Sequence, residues 1–148
     1  MTDLNDRTER FELIAGTPRD QLVEHAEAVL DGDSTVRVLQ APSPQLLMHR
    51  VTEPVERRPF NLGEVLVTTA EVELDGSERG YAMVPGRARA KAVAGAVVDA
   101  AVAADHARRD DIAADLRAAE ADREERRRRQ WAESRATTVE FDTMEDDA

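Results

Sequence analysis

The chain has 148 residues, with 31 acidic against 20 basic side chains and a formal net charge of −11, which suits one domain and disfavours nucleic acid or an anionic membrane as partner. Without a cysteine it offers no disulfide, thiolate metal ligand, cysteine nucleophile or iron–sulfur ligation. No apolar run approaches the ~20 residues of a membrane span, and Met1-Thr2-Asp3-Leu4 begins without a signal-like segment, so a cytoplasmic protein is expected.

Residues 6–31 read as two helices. Phe11 and Ile14 mark the inner side of the first, which runs to Ala15 before Gly16. The second has Thr17 as N-cap, Pro18 where a missing N–H costs nothing, Asp20 in the first turn, and a stripe of Leu22, Val23, Ala26, Val29 and Leu30 ending at Gly32. Residues 34–84 read as a sheet. Runs 35–39 and 46–51 flank Ala41-Pro42-Ser43-Pro44 as a hairpin, a charged loop covers 52–59, and a strand at 65–74 turns at Asp75-Gly76 into Gly80-Tyr81-Ala82-Met83-Val84. Four antiparallel strands are the economical arrangement.

Residues 87–135 read as two more helices, one rich in Ala and Val from Arg87 to Ala104, the other from Arg109 to Ser134. The last stretch, 137–148, alternates as an extended tail. The fold class is therefore α+β, a four-stranded antiparallel sheet with an N-terminal helix pair and long C-terminal helices. Aromatic residues make up only 3% of the chain, so the core is thin and points to help from partners. Lys91 is the sole lysine, and the spread acidic excess suits a high-salt proteome.

Few residues invite chemistry. His25, His49 and His106 lack metal-ligand spacing, so no metal site is expected, and no serine stands in a nucleophile setting. Arg126 to Arg129 follow Glu124 and Glu125, which suits a solvated helix with i, i+4 pairs or a subunit contact. Trp131, on the same polar helix, is either an anchor to the core or an interface residue. The most suggestive segment is Val84-Pro85-Gly86-Arg87-Ala88-Arg89-Ala90-Lys91, where strand, turn and helix N-terminus bring free N–H groups and three cations together. Gly86, Arg87 and Arg89 are thus candidate anion or substrate contacts. The competing explanation is that these cations pair with the chain's many carboxylates.

The order Phe60-x-x-Gly63-Glu64, Val72, Asp75-Gly76, Gly80-Tyr81, Gly86-Arg87, Ala92 and Asp99-Ala100 resembles the PhnG family, as does the closing Ser134-Arg135 with Val139-x-Phe141-x-Thr143-Met144. The resemblance implies a subunit of the carbon–phosphorus lyase core complex, assembled with PhnH, PhnI and PhnJ in two copies each. It further implies action with PhnI, PhnH and PhnL as a phosphonate displaces adenine from ATP, giving an α-D-ribose 1-phosphonate 5-triphosphate. In the family the nucleosidase chemistry is attributed mainly to PhnI and the radical cleavage to PhnJ. No catalytic residue is carried over to this chain, no cofactor is expected on it, and ATP enters as co-substrate of the complex. Trp131, Phe141 and Met144 are the candidate partner contacts. The charged segments 53–58 and 120–129 depart from the family pattern. A free-standing nucleotide- or phosphate-binding domain is the main competing function, with an adaptor in another pathway behind it.

Overall fold

The computed structural model describes residues 3–146, apart from the side chains of His49, Asn61, Leu62 and residues 138–146. Helices α1 (Arg7–Ala15) and α2 (Arg19–Leu30) precede strands β1 (Val36–Thr52), β2 (Pro59–Leu74) and β3 (Glu78–Pro85). Helices α3 (Arg89–Ala103) and α4 (Arg109–Asp146) complete the chain. The α+β class, the N-terminal helix pair and the two C-terminal helices are as the sequence predicts.

The start of α1 follows from its cap, for the Asp6 carboxylate accepts the N–H groups of Thr8 and Glu9 at 2.9 and 3.2 Å. Thr17 does not cap α2 as expected. Its hydroxyl donates instead to the Leu13 carbonyl at 2.7 Å, satisfying an open acceptor near the end of α1, and Pro18 takes the N-cap position.

The sheet has three strands in the order β1-β2-β3, both pairs antiparallel, which corrects the expected four. The runs read as a hairpin form one long strand, β1, that passes straight through Pro42 and Pro44. Two physical features permit this. β1 is an edge strand, where a proline's missing donor is harmless on the outer side, and register shifts at Val38/Gln40 and Gln40/Ser43 absorb the kinks. β2 also begins earlier than expected, at Pro59, so that β1 and β2 pair from Val36↔Leu74 to Thr52↔Pro59. β3 accompanies β2 only from Leu74↔Glu78 to Val67↔Pro85. The rest of the β1–β2 ribbon is a two-stranded arm.

One face of the sheet packs on α3. Ala70, Val72 and Leu74 of β2 and Ala82 and Val84 of β3 are buried there with Ala92, Ala96, Val97 and Ala100. Small residues set the distance. Gly80 lies so close to α3 that a Cβ would come 1.9 Å from the Ala96 carbonyl oxygen. Leu13 and Ile14 of α1, Leu22 and Val29 of α2, and Ile112 and Leu116 of α4 close the same core. A buried ion pair crosses it: Arg10 Nε donates to Asp99 Oδ1 at 2.5 Å, and Asp99 Oδ2 accepts the Tyr81 N–H at 2.9 Å.

α4 is the largest departure. The sequence predicts a helix to Ser134 and an extended tail over 137–148, whereas the helix continues to Asp146, with residues 147–148 outside the described part. No glycine or proline follows Gly95, so nothing in the chain's chemistry stops the helix, and local β-type alternation has no sheet to join. The 38-residue helix is ~57 Å long at 1.5 Å per residue. Only its first third is packed; from residue 124 to 137 every side chain is exposed. No helix among the described residues is long and apolar enough to cross a membrane.

Candidate functional site

Between β3 and α3 the chain turns at Gly86, whose φ of +75° is one that a side chain would resist. The turn is held by backbone and one hydroxyl. Gly86 N–H donates to the Leu66 carbonyl at 2.8 Å, while Thr68 Oγ1 donates to the Gly86 carbonyl at 2.6 Å and accepts the Ala88 N–H at 3.0 Å. Thr68, fully buried on β2, thereby satisfies the N–H of the N-cap residue Ala88 and ties the start of α3 to the sheet, while Ala88 itself offers no side chain to the first-turn N–H groups. The rigid frame leaves Arg87 and Arg89 exposed.

Neither arginine has a carboxylate within ion-pair distance among the described residues, so the expected competition from the chain's own acids is not seen. Two unpaired guanidinium groups beside a helix N-terminus favour an anion or an acidic surface. Being exposed, they offer a contact surface and no enclosed pocket.

The third cation expected here goes elsewhere. Lys91 turns its Nζ to the Ala15 carbonyl at the end of α1, 2.7 Å away. Burial, and secondarily the nearby Arg123 guanidinium, lowers its pKa below the ordinary 10.5. A base whose folded pKa lies below its unfolded one is destabilising while charged, and the penalty is relieved as pH rises through the folded value toward 10.5. Denaturant unfolding followed up to pH 10.5 should therefore show a stability gain in the native chain that Lys91→Met lacks.

Arg123 reaches from α4 across Gly16 and lines a cleft of about 370 Å³ between α1 and α4, with Glu9, Glu12, Glu120, Glu124 and Arg127. Four carboxylates against two guanidinium groups make this a poor place for a phosphate. His25, buried on α2, sets Nε2 2.6 Å from Asp115 Oδ2 and Nδ1 3.4 Å from Arg108 Nη2, which ties α2 to the start of α4. His106 Nδ1 accepts the Arg108 N–H at 3.1 Å. The side chain of His49 lies outside the described residues, and no group of three or more His, Asp or Glu side chains able to hold a metal occurs among those described.

On distal α4, Arg129 and Arg128 pair with Glu125 and Glu124 at 2.7 and 3.8 Å, all exposed, as a solvated helix would arrange them. Trp131 is 67% exposed, which removes the anchor-to-core alternative. The side chains of Phe141 and Met144 lie outside the described residues.

The structure thus keeps Gly86, Arg87 and Arg89 together and places Trp131 on a different element. It adds Thr68 and the Arg10–Asp99 pair, of which the sequence signalled only Asp99-Ala100. In comparison with known families, residues 5–145 match the model of PhnG, described as a phosphonate metabolism protein. No curated protein matches the chain at a significant level.

Proposed function

The chain belongs to the PhnG family of phosphonate metabolism proteins, and from that premise we propose that it serves as a subunit of a carbon–phosphorus lyase complex and is not catalytic alone. It assembles with PhnH, PhnI and PhnJ homologues. With PhnH, PhnI and PhnL it takes part in forming α-D-ribose 1-methylphosphonate 5-triphosphate from ATP and methylphosphonate, with release of adenine. ATP is a co-substrate of the assembly, and this chain holds no cofactor. The family match over residues 5–145 carries this reading, and the exposed Trp131 on an otherwise polar helix supports it. Co-expression with the PhnH, PhnI and PhnJ homologues in high salt, followed by affinity capture and mass analysis, is the test: one stoichiometric assembly is expected, and elution of a lone folded chain refutes it.

Arg87 and Arg89 are, in this reading, the chain's contacts to the anionic substrate or to an acidic partner beside it. The double variant Arg87→Ala/Arg89→Ala should leave the unfolding midpoint unchanged or slightly raised, because two exposed cations that oppose the helix dipole are removed. Adenine release by the assembly should fall at least about tenfold, the effect of losing a hydrogen bond to a charged group. Unchanged release would take both residues out of the site. The alternative of a free-standing phosphate-binding domain rests on the same two unpaired arginines, and calorimetry of the lone chain with ATP separates it from the subunit reading.

A further inference from the structure

Eleven large apolar side chains of the described residues are exposed, and six of them, Leu46, Leu47, Met48, Val55, Phe60 and Val65, lie within residues 46–66. This is the two-stranded arm, which β3 does not accompany. Cross-strand pairs share a face, so Leu46 with Leu66 and Leu47 with Val65 place apolar groups on opposite faces of the ribbon. Leu47, Met48, Arg50 and Val65 line a shallow cleft of about 350 Å³. A ribbon of two strands is marginal in water by itself, and a strand pair apolar on both faces is the pattern of a ribbon covered on both sides.

We infer that the arm is a docking element, completed by an extended apolar segment of a different subunit that adds as a strand along the edge of β2 vacated by β3. The edge itself argues for a strand. Gly86 N–H makes the last bond to β2, at the Leu66 carbonyl. By strand alternation the N–H and C=O of Glu64 face the same way and meet no strand there. Gly63, next to it, has φ +148° and open space where a side chain would be; it adjoins the bulge that the register shift at His49/Arg50 places at Leu62, and it leaves room for another backbone. In the body of the sheet the free edge of β1 is guarded by two register shifts and by Pro42 and Pro44, the usual protection of a strand that is to remain unpaired. The β2 edge carries one register shift, at Leu62 opposite His49/Arg50, and no proline between 60 and 66, so its regularly paired run from Gly63 to Leu66 suits strand addition.

Charge argues for a different chain over a second copy. Residues 46–66 hold three basic and three acidic side chains, Arg50, Arg57 and Arg58 against Glu53, Glu56 and Glu64, so the whole net charge of −11 resides on the rest of the molecule. Pairing two copies through their arms sets two strongly acidic bodies side by side, whereas a neutral arm meets a less acidic subunit without that repulsion.

The inference rests on the subunit reading, and hydrogen exchange on the full chain, alone and in the captured assembly, separates the two. Amides of residues 60–66 should slow by at least about tenfold on assembly while those of 69–74, already flanked by β1 and β3, barely change. An assembly in which 60–66 exchange as in the lone chain overturns the docking and leaves the subunit reading standing; failure to assemble refutes both. A lone chain that dimerises with 60–66 protected makes a second copy the occupant and overturns the assignment to a different subunit. Val65→Asp, on an exposed arm position, should weaken capture roughly tenfold, as for an interface residue that matters, with the unfolding midpoint unchanged; undiminished capture overturns the docking.

Discussion

Asp99→Ala is expected to lower the unfolding free energy by about 3–5 kcal/mol, the usual loss when one partner of a buried ion pair is removed. Asp99 is fully buried in the middle of α3, and its two oxygens do separate work. One receives Arg10 Nε from α1, the other the Tyr81 N–H from β3. Arg10, itself 6% exposed, passes its Nη1 to the Leu4 carbonyl at 2.9 Å. Alanine at 99 leaves a buried cation without a counter-charge and a strand N–H without an acceptor. The loss is a large share of the ~5–15 kcal/mol by which native domains are stable. Urea unfolding of Asp99→Ala, Arg10→Met and the double variant checks it. The double variant should be less destabilised than the sum of the singles, because the stranded charge is gone. A loss below about 1 kcal/mol for Asp99→Ala would mean that water reaches Arg10.

A central part of the residues that carry the family resemblance turns out to meet at one junction. Gly80 faces Ala100, the Tyr81 N–H binds Asp99, and Ala92 lies in the same α3 face. Asp75 closes the β2–β3 turn and exchanges hydrogen bonds with Thr35, its Oδ1 accepting the Thr35 N–H at 2.8 Å and its N–H reaching the Thr35 carbonyl at 2.8 Å. These positions describe how α3 is locked onto the sheet, so they reveal the fold without revealing a catalytic group. Element type was legible where the signal was local, as at the Asp75-Gly76 turn between β2 and β3. It was not legible where the outcome depended on what lay alongside. Pro42 and Pro44 read as a turn because single-sequence reasoning cannot know that their strand is an edge. Thr137 to Met144 read as a strand because alternation is a local signal, while the helix there continues from a chain that holds no stop. Of the candidate site, the Gly86 turn was visible from Pro-Gly before a helix. The hydrogen bond from the Ala88 N–H to Thr68 was not, since it spans 20 residues.

Gly80→Ala should cost about 3 kcal/mol or more, at or above the upper end of what overpacking usually does. The added carbon would sit 1.9 Å from the Ala96 carbonyl oxygen, 2.6 Å from Ala100 N and 2.7 Å from Ala100 Cβ. Two of these atoms are helix backbone, so relief requires α3 as a whole to lift from the sheet. That movement would also stretch the Asp99 bridge to Tyr81, whose hydrogen bond spans the same junction. Gly16→Ala is the control that shows why distance alone does not decide. Its Cβ would fall 0.8 Å from Arg123 Nη1, a nominally worse overlap, yet that atom is the far end of a flexible side chain that lines the cleft between α1 and α4. Arg123 swings away, and the variant should lose no more than about 1 kcal/mol, within the range of mild substitutions. Urea midpoints of the two variants, measured side by side, give the comparison. Gly80→Ala is expected to melt far earlier than Gly16→Ala, and equal midpoints would mean that α3 rides on the sheet loosely enough to accommodate a methyl group, contrary to a junction fixed by backbone contact.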